Sequence, residues 1–320
     1  MQKYPDNVLF GRHGESVFVE IDSNDIPGYR DFSRLFYDEF SALESNLQVK
    51  ASLFPGRVQL PNHLKPFPSD RLTQMALNAL QAMKDDKRFA PLLGNDKKTP
   101  LTKKGFEQWV QVGEGLEEYL DGILPERVIL PDQIRTVQSY EGLIHGCPKL
   151  RGRGNIDNKF REQEMGLRID DGDPLIYAVL NPRYAWHFKQ RGLLEYRHEG
   201  GESMEDVIDR GRESLDTLSN RYGGLESGKP SPCILVITHH RFMLAIRFLL
   251  ESWDQEILEH NDLPPNRPPV ANLLHYVGVD GEKKATRPEA TPSVVEYAKK
   301  GWLELKDEEI PYRQIWKDAA

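Results

Sequence analysis

Cysteine is scarce in this chain: Cys147 and Cys233 are the only two among 320 residues. Two are too few for a disulfide framework or a Cys-rich zinc site. Both sit in apolar or turn-like surroundings and read as small hydrophobes, so a reduced, cytoplasmic protein is expected. Long hydrophobic runs are also missing. The most apolar stretch, Phe242–Leu250, carries Arg247 and is too short to cross a bilayer. No apolar signal region precedes Arg12. Positive charge is outweighed, with Lys+Arg 42 against Asp+Glu 50 and a net charge of −8. A general nucleic-acid binder would show the opposite balance. A local cationic pocket stays compatible with it, because clefts focus fields of either sign. Internal repeats, low-complexity tracts and Gly/Ser linkers are absent too.

What is present is the balance of an ordinary soluble globular chain, 38% hydrophobic and 29% charged. Short apolar runs stop abruptly: Val8–Phe10 before Gly11-Arg12-His13-Gly14, Arg127–Leu130 before Pro131-Asp132, and Cys233–Ile237 before Thr238-His239-His240. Continuous runs of this kind suit strands covered on both faces. Helical stripes alternate with them over Thr102–Leu120, Ser203–Leu218 and Phe242–Trp253, the second opening on a capping-box arrangement, Ser203 with Asp206. The rhythm predicts an α/β three-layer sandwich around a mostly parallel sheet. A further strand is expected near Ala271–Val277, after a Pro-rich loop over 261–269. Residues 17–100 break the rhythm. They read as an insertion in one domain of residues 1–320, folded over the sheet and covering the mouth of a site.

Ligands in such sheets bind beyond the carboxyl ends of the strands. Two of the three clearest strands end on histidine, His13 and His239. A neutral imidazole is a good nucleophile near neutral pH. Arg12 beside it offers a planar fork of donors that suits phosphate, and Arg135 offers a second. Gly14 lets the backbone approach closely.

Arg12-His13-Gly14-Glu15-Ser16 after a short first strand resembles the signature of the histidine phosphatase superfamily, the phosphoglycerate-mutase-like enzymes. Further matches follow in the family's order. Leu101–Gln108 is similar to its L-T-x-x-G-x-x-Q helix start, Arg135-Thr136 to its R-T pair, and Phe160–Gly166 to its acid-bearing segment. Gly201-Glu202-Ser203 with Asp206, Val207 and Arg210 resembles a helix start of its phosphatase branch, and Thr238-His239 its second-histidine motif. The likeness spans roughly residues 7–16 and 101–278.

The resemblance implies a metal-independent phosphomonoester hydrolase that works through a phosphohistidine and needs no cofactor. His13 would be the nucleophile. Glu162 would be the acid and base, with Glu164 the next candidate. Arg12, Arg135 and His239 would clamp the phosphoryl oxygens, joined by the backbone of His240. Its partner would be a small phosphomonoester, not nucleic acid or membrane, and a homodimer is compatible. A phosphomutase using the same intermediate and a non-catalytic phosphoester-binding module are the alternatives. Three positions depart from the pattern: Val19 where Asn is usual, Pro131 where a small residue often stands, and His240 where Gly is usual. Of the other histidines (His63, His145, His187, His198, His260 and His275), none shows metal-ligand spacing, and His198 is the one best placed in sequence to approach substrate. Gly223–Pro230 nearly spells a phosphate-binding loop. Pro230 stands where Ser or Thr would hold magnesium, so it reads as a surface turn.

Overall fold

The computed structural model describes residues 7–16, 26–39, 68–87, 96–166, 173–182, 191–222, 232–262, 270–279 and 282–286. Val19, the turn at 223–230 and the loop residues 263–269 lie outside the described residues. The chain parts into two compact units. One comprises Met1–Val17, Lys97–Glu162 and Asp206–Ala320, the other Phe18–Asp96 and Gln163–Glu205.

The first unit holds a six-stranded sheet: β1 (Asn7–Arg12), β2 (Arg127–Leu130), β3 (Gly154–Ile156), β4 (Cys233–Thr238), β5 (Leu273–Val279) and β6 (Glu282–Thr286), in the order β3-β2-β4-β1-β5-β6. The pairs β3–β2, β2–β4 and β4–β1 are parallel. The architecture is an α/β sandwich with a mostly parallel sheet. One strand departs from that rule: β5 runs antiparallel to β1, and β6 antiparallel to β5. The register explains the reversal. Gly11, near the carboxyl end of β1, faces Leu273, the first residue of β5. The chain therefore re-enters the sheet at the end it left after β4, and it must run downward.

Strand alternation shows why both faces are covered. Cys233, Leu235 and Ile237 of β4 join Leu9, Trp109, Val112, Leu116, Val128, Leu130 and Leu143 in one core. Ile234 and Val236, which point the other way, are equally buried. The first of these faces is closed by α3 (Lys103–Tyr119) and α4 (Ile134–Gly146), which pack on each other. Each fully buried Leu or Ile here contributes roughly 1.5–3 kcal/mol. The unit also contains α7 (His240–Leu250), in contact with β1, α8 (Gln255–Asp262), and most of α6 (Met204–Tyr222). α7 begins two residues before the apolar stripe suggested, because His239, one residue past β4, is still extended and serves as N-cap.

The second unit contains α1 (29–39), α2 (Asp70–Asp85) and α5 (Pro174–Leu180). α2 packs on α5. Tyr29 Oη donates to Asp173 Oδ2 at 2.8 Å. Asp173 also caps α5, and Ser69 caps α2.

Candidate active site

The site begins with a close approach of backbones. A Cβ on Gly14 would stand 2.1 Å from the Gly105 carbonyl oxygen, and one on Gly105 would stand 2.0 Å from that of Glu15. Only glycine at both positions lets the loop after β1 lie on the first turn of α3. The rest of the 101–108 motif then ties the loop down. Thr102 N–H donates to Glu15 O at 2.9 Å, while its hydroxyl caps α3 by accepting from Gly105 N–H. Gln108 Oε1 accepts from Glu15 N–H at 2.9 Å. From α4, Ser139 Oγ accepts from Gly14 N–H at 3.1 Å, and Gln138 Oε1 accepts from Leu101 N–H. His13 N–H donates to Thr238 O at 2.9 Å, which joins the ends of β1 and β4.

These ends bring the two histidines together. Their ring centroids are 5.0 Å apart. Hydrogen bonds fix their tautomers. His13 Nδ1 lies 2.7 Å from Gly14 O, and since a carbonyl only accepts, Nδ1 carries the proton and Nε2 keeps its lone pair. His239 is the reverse. Its Nδ1 accepts from Arg135 Nε–H at 3.1 Å, so Nε2 carries the proton. That Nε2 is buried with no hydrogen-bond partner. One ring offers a lone pair, and its neighbour offers a donor.

Both imidazoles are held neutral. Burial, then the charges of Arg135 and Arg12, hold His13 well below its ordinary value. Burial, then Arg135, does the same to His239. Arg135 itself is buried, on the first turn of α4. Thr136 holds that turn, its hydroxyl donating to Pro131 O and Gln133 O.

Glu162 follows a short loop that is gripped from two sides. Arg210 of α6 donates to the carbonyls of Lys159 and Arg161 at 2.9 Å and of Glu162 at 3.3 Å. Its guanidinium lies over the Phe242 ring. Phe160, between them in sequence, is fully buried edge-on against Phe242. The Glu162 carboxylate accepts from Arg241 N–H at 3.1 Å, on the first turn of α7. His240 is tied by Nε2 to Asp262 Oδ1 at 3.0 Å.

The six site residues read from the sequence thus lie together at the carboxyl ends of β1 and β4, within the first unit. His198 has another setting: it packs edge-on against Tyr177 and Tyr196 within the second unit. Glu164 is exposed, and its backbone pairs with Glu202, whose N–H donates to Glu164 O at 2.7 Å. The motif reading of Arg210 and Glu202 missed these supporting roles, and it missed Asp262 altogether. A lone Asp before a Pro-rich loop carries no local signal of a buried partner.

A family model described as histidine phosphatase superfamily (branch 1) matches residues 86–267. No curated protein sequence matches the chain. Among solved structures, YhfR of Bacillus stearothermophilus is 15% identical with a TM-score of 0.50, over 91% of this chain and 99% of its own. The alpha-ribazole phosphatase of Shigella flexneri is 12% identical with a TM-score of 0.50, over 86% of this chain and 91% of its own. Phosphoglycerate mutase from Bacillus anthracis is 12% identical with a TM-score of 0.49, over 93% and 98%. At these identities the likeness to the first two speaks to fold alone.

Proposed function

Because the chain belongs to branch 1 of the histidine phosphatase superfamily, we propose that it hydrolyses a small phosphomonoester through a phosphohistidine on His13, without a metal. The opposed tautomers of His13 and His239 carry this reading. His13 Nε2 attacks phosphorus in line and the P–O bond to the alcohol breaks. Arg12, Arg135 and His239 Nε2–H hold the equatorial oxygens, where charge must be stabilised in the transition state. Glu162 gives its proton to the departing alkoxide. Water then attacks phosphorus, the P–N bond to His13 breaks, and Glu162 takes the proton from the water. The hydrogen bond from Arg241 N–H to the Glu162 carboxylate, two residues beyond His239, supports giving both transfers to Glu162. An acid next to the phosphate cradle favours an enzyme over a pure binding module, which has no use for one.

A panel of phosphoesters with free phosphate as readout tests this. Turnover of at least one member is expected, undiminished by a strong chelator, since two guanidiniums supply the charge a divalent ion would otherwise bring. Vanadate, which adopts the trigonal-bipyramidal shape of the transition state, should compete with substrate. Turnover lost in EDTA and restored by magnesium or zinc would contradict the mechanism.

A further inference from the structure

His240 is built into the site in a way the proposed mechanism does not use. Its residue is 7% exposed. Nε2 lies 3.0 Å from Asp262 Oδ1, and an ionised carboxylate only accepts, so Nε2 carries the proton and Nδ1 the lone pair. Nδ1 is buried with no hydrogen-bond partner. Asp262 is itself buried, and its other oxygen takes Arg241 at 2.9 Å. The ring is therefore held from one side by a carboxylate with little freedom to move. An unsatisfied buried acceptor is unfavourable, so an arriving ligand that completes it is favoured.

The neighbouring groups indicate what completes it. The adjacent backbone N–H, that of Arg241, holds Glu162, and the residue before His240 is His239. Burial holds His240 below its ordinary value, against the hydrogen bond to Asp262 and the charge of Glu162, and Arg12 adds to the lowering. His13 feels His240 in turn. The dianion of a phosphomonoester or a phosphonate brings only acceptors, and two acceptors cannot bond. One proton between them satisfies both.

On the reading of this site as a phosphate site, we propose that His240, oriented by Asp262, is a proton-sharing ligand of the bound phosphate. As the dianion arrives, Nδ1 takes one proton from solvent and donates it in a hydrogen bond to a phosphate oxygen. No covalent bond is made or broken. The negative charge of the phosphate adds to that of Asp262 and outweighs Arg12 and burial, so the imidazolium exists only in the complex. Binding is thereby coupled to proton uptake.

Calorimetry of phenylphosphonate binding to the full chain at about pH 8, in two buffers of different ionisation enthalpy, counts that proton, because the phosphonate dianion, unlike HPO4²⁻, has no hydroxyl of its own to donate. Wild type should take up about one. His240→Asn places an amide N–H near the position of Nδ1 and cannot titrate there. It should bind within a few-fold of wild type with the uptake gone. His240→Ala should bind about tenfold more weakly or worse, also without uptake. Asp262→Asn provides a second route: its amide can donate to Nε2, which moves the ring proton to Nδ1 beforehand and again abolishes uptake. Wild-type binding without uptake, or uptake that persists in His240→Asn and Asp262→Asn, overturns the proposal and leaves the hydrolase reading standing. No binding of phenylphosphonate or of inorganic phosphate by wild type overturns both.

Discussion

Glu162→Gln should sort substrates by their leaving groups. The variant keeps the nucleophile, the cradle and an oxygen for Arg241 N–H, but it has no proton to give. An alkyl phosphate, whose alkoxide is strongly basic, should lose about 10²–10⁴-fold, the usual scale of general acid catalysis. A nitrophenyl phosphate leaves without help, so its first step should suffer far less. The second step lacks its base with either substrate. Stopped-flow measurement should therefore show a rapid burst of nitrophenol, then slow turnover. Equal slowing of both substrates' first steps would place the acid elsewhere. Glu164 would be the next residue to test, although its exposure and its pairing with Glu202 argue against it.

His13→Ala should remove turnover with every substrate, by about 10⁴-fold or more, because the attack on phosphorus then has no nucleophile. The adjacent His239 cannot substitute, since its Nδ1 is committed to Arg135. The burst seen in Glu162→Gln should vanish in the double variant, and phosphate should still bind through Arg12, Arg135 and His239. The wild-type acid limb follows from the same chemistry. His13 must be neutral to attack, and burial with Arg135 and Arg12 holds it well below 6.5. Turnover limited by His13 should therefore persist below pH 6.5 and fall only as that lowered value is crossed. A rate profile halved near pH 6.5 by protonation of His13 would contradict this environment.

Much of the fold was legible because it rests on local patterns. The apolar runs at β1, β2 and β4 are buried on both faces, so they show as unbroken hydrophobic strings. The amphipathic stripe over 102–120 became α3 with Thr102 as its cap. The reversal of β5 was not legible. Direction depends on the sheet end at which the chain re-enters, and no residue within Leu273–Val279 encodes that. The site divides in the same way. His13 and His239 were readable because each directly follows a buried strand, and Glu162 and Arg135 through the ordered motifs around them. Their hydrogen-bond states were not, since the tautomer of each ring depends on partners distant in sequence, such as Arg135 for His239. The same holds for Asp262 on His240. The backbone of His240 was read as a phosphate contact and its side chain only as a departure from the pattern, because a side chain's partner across 22 residues leaves no periodic trace.

The central claim is a covalent phosphoryl group on His13 Nε2, and rapid acid-free quenching during turnover of a radiolabelled phosphomonoester tests it most directly. The account predicts a label on the protein that survives alkali and is lost in acid, maps to His13, accumulates further in Glu162→Gln and is absent from His13→Ala. Turnover with no protein-bound label in Glu162→Gln, or a label that is stable to acid or maps to another residue, would contradict it.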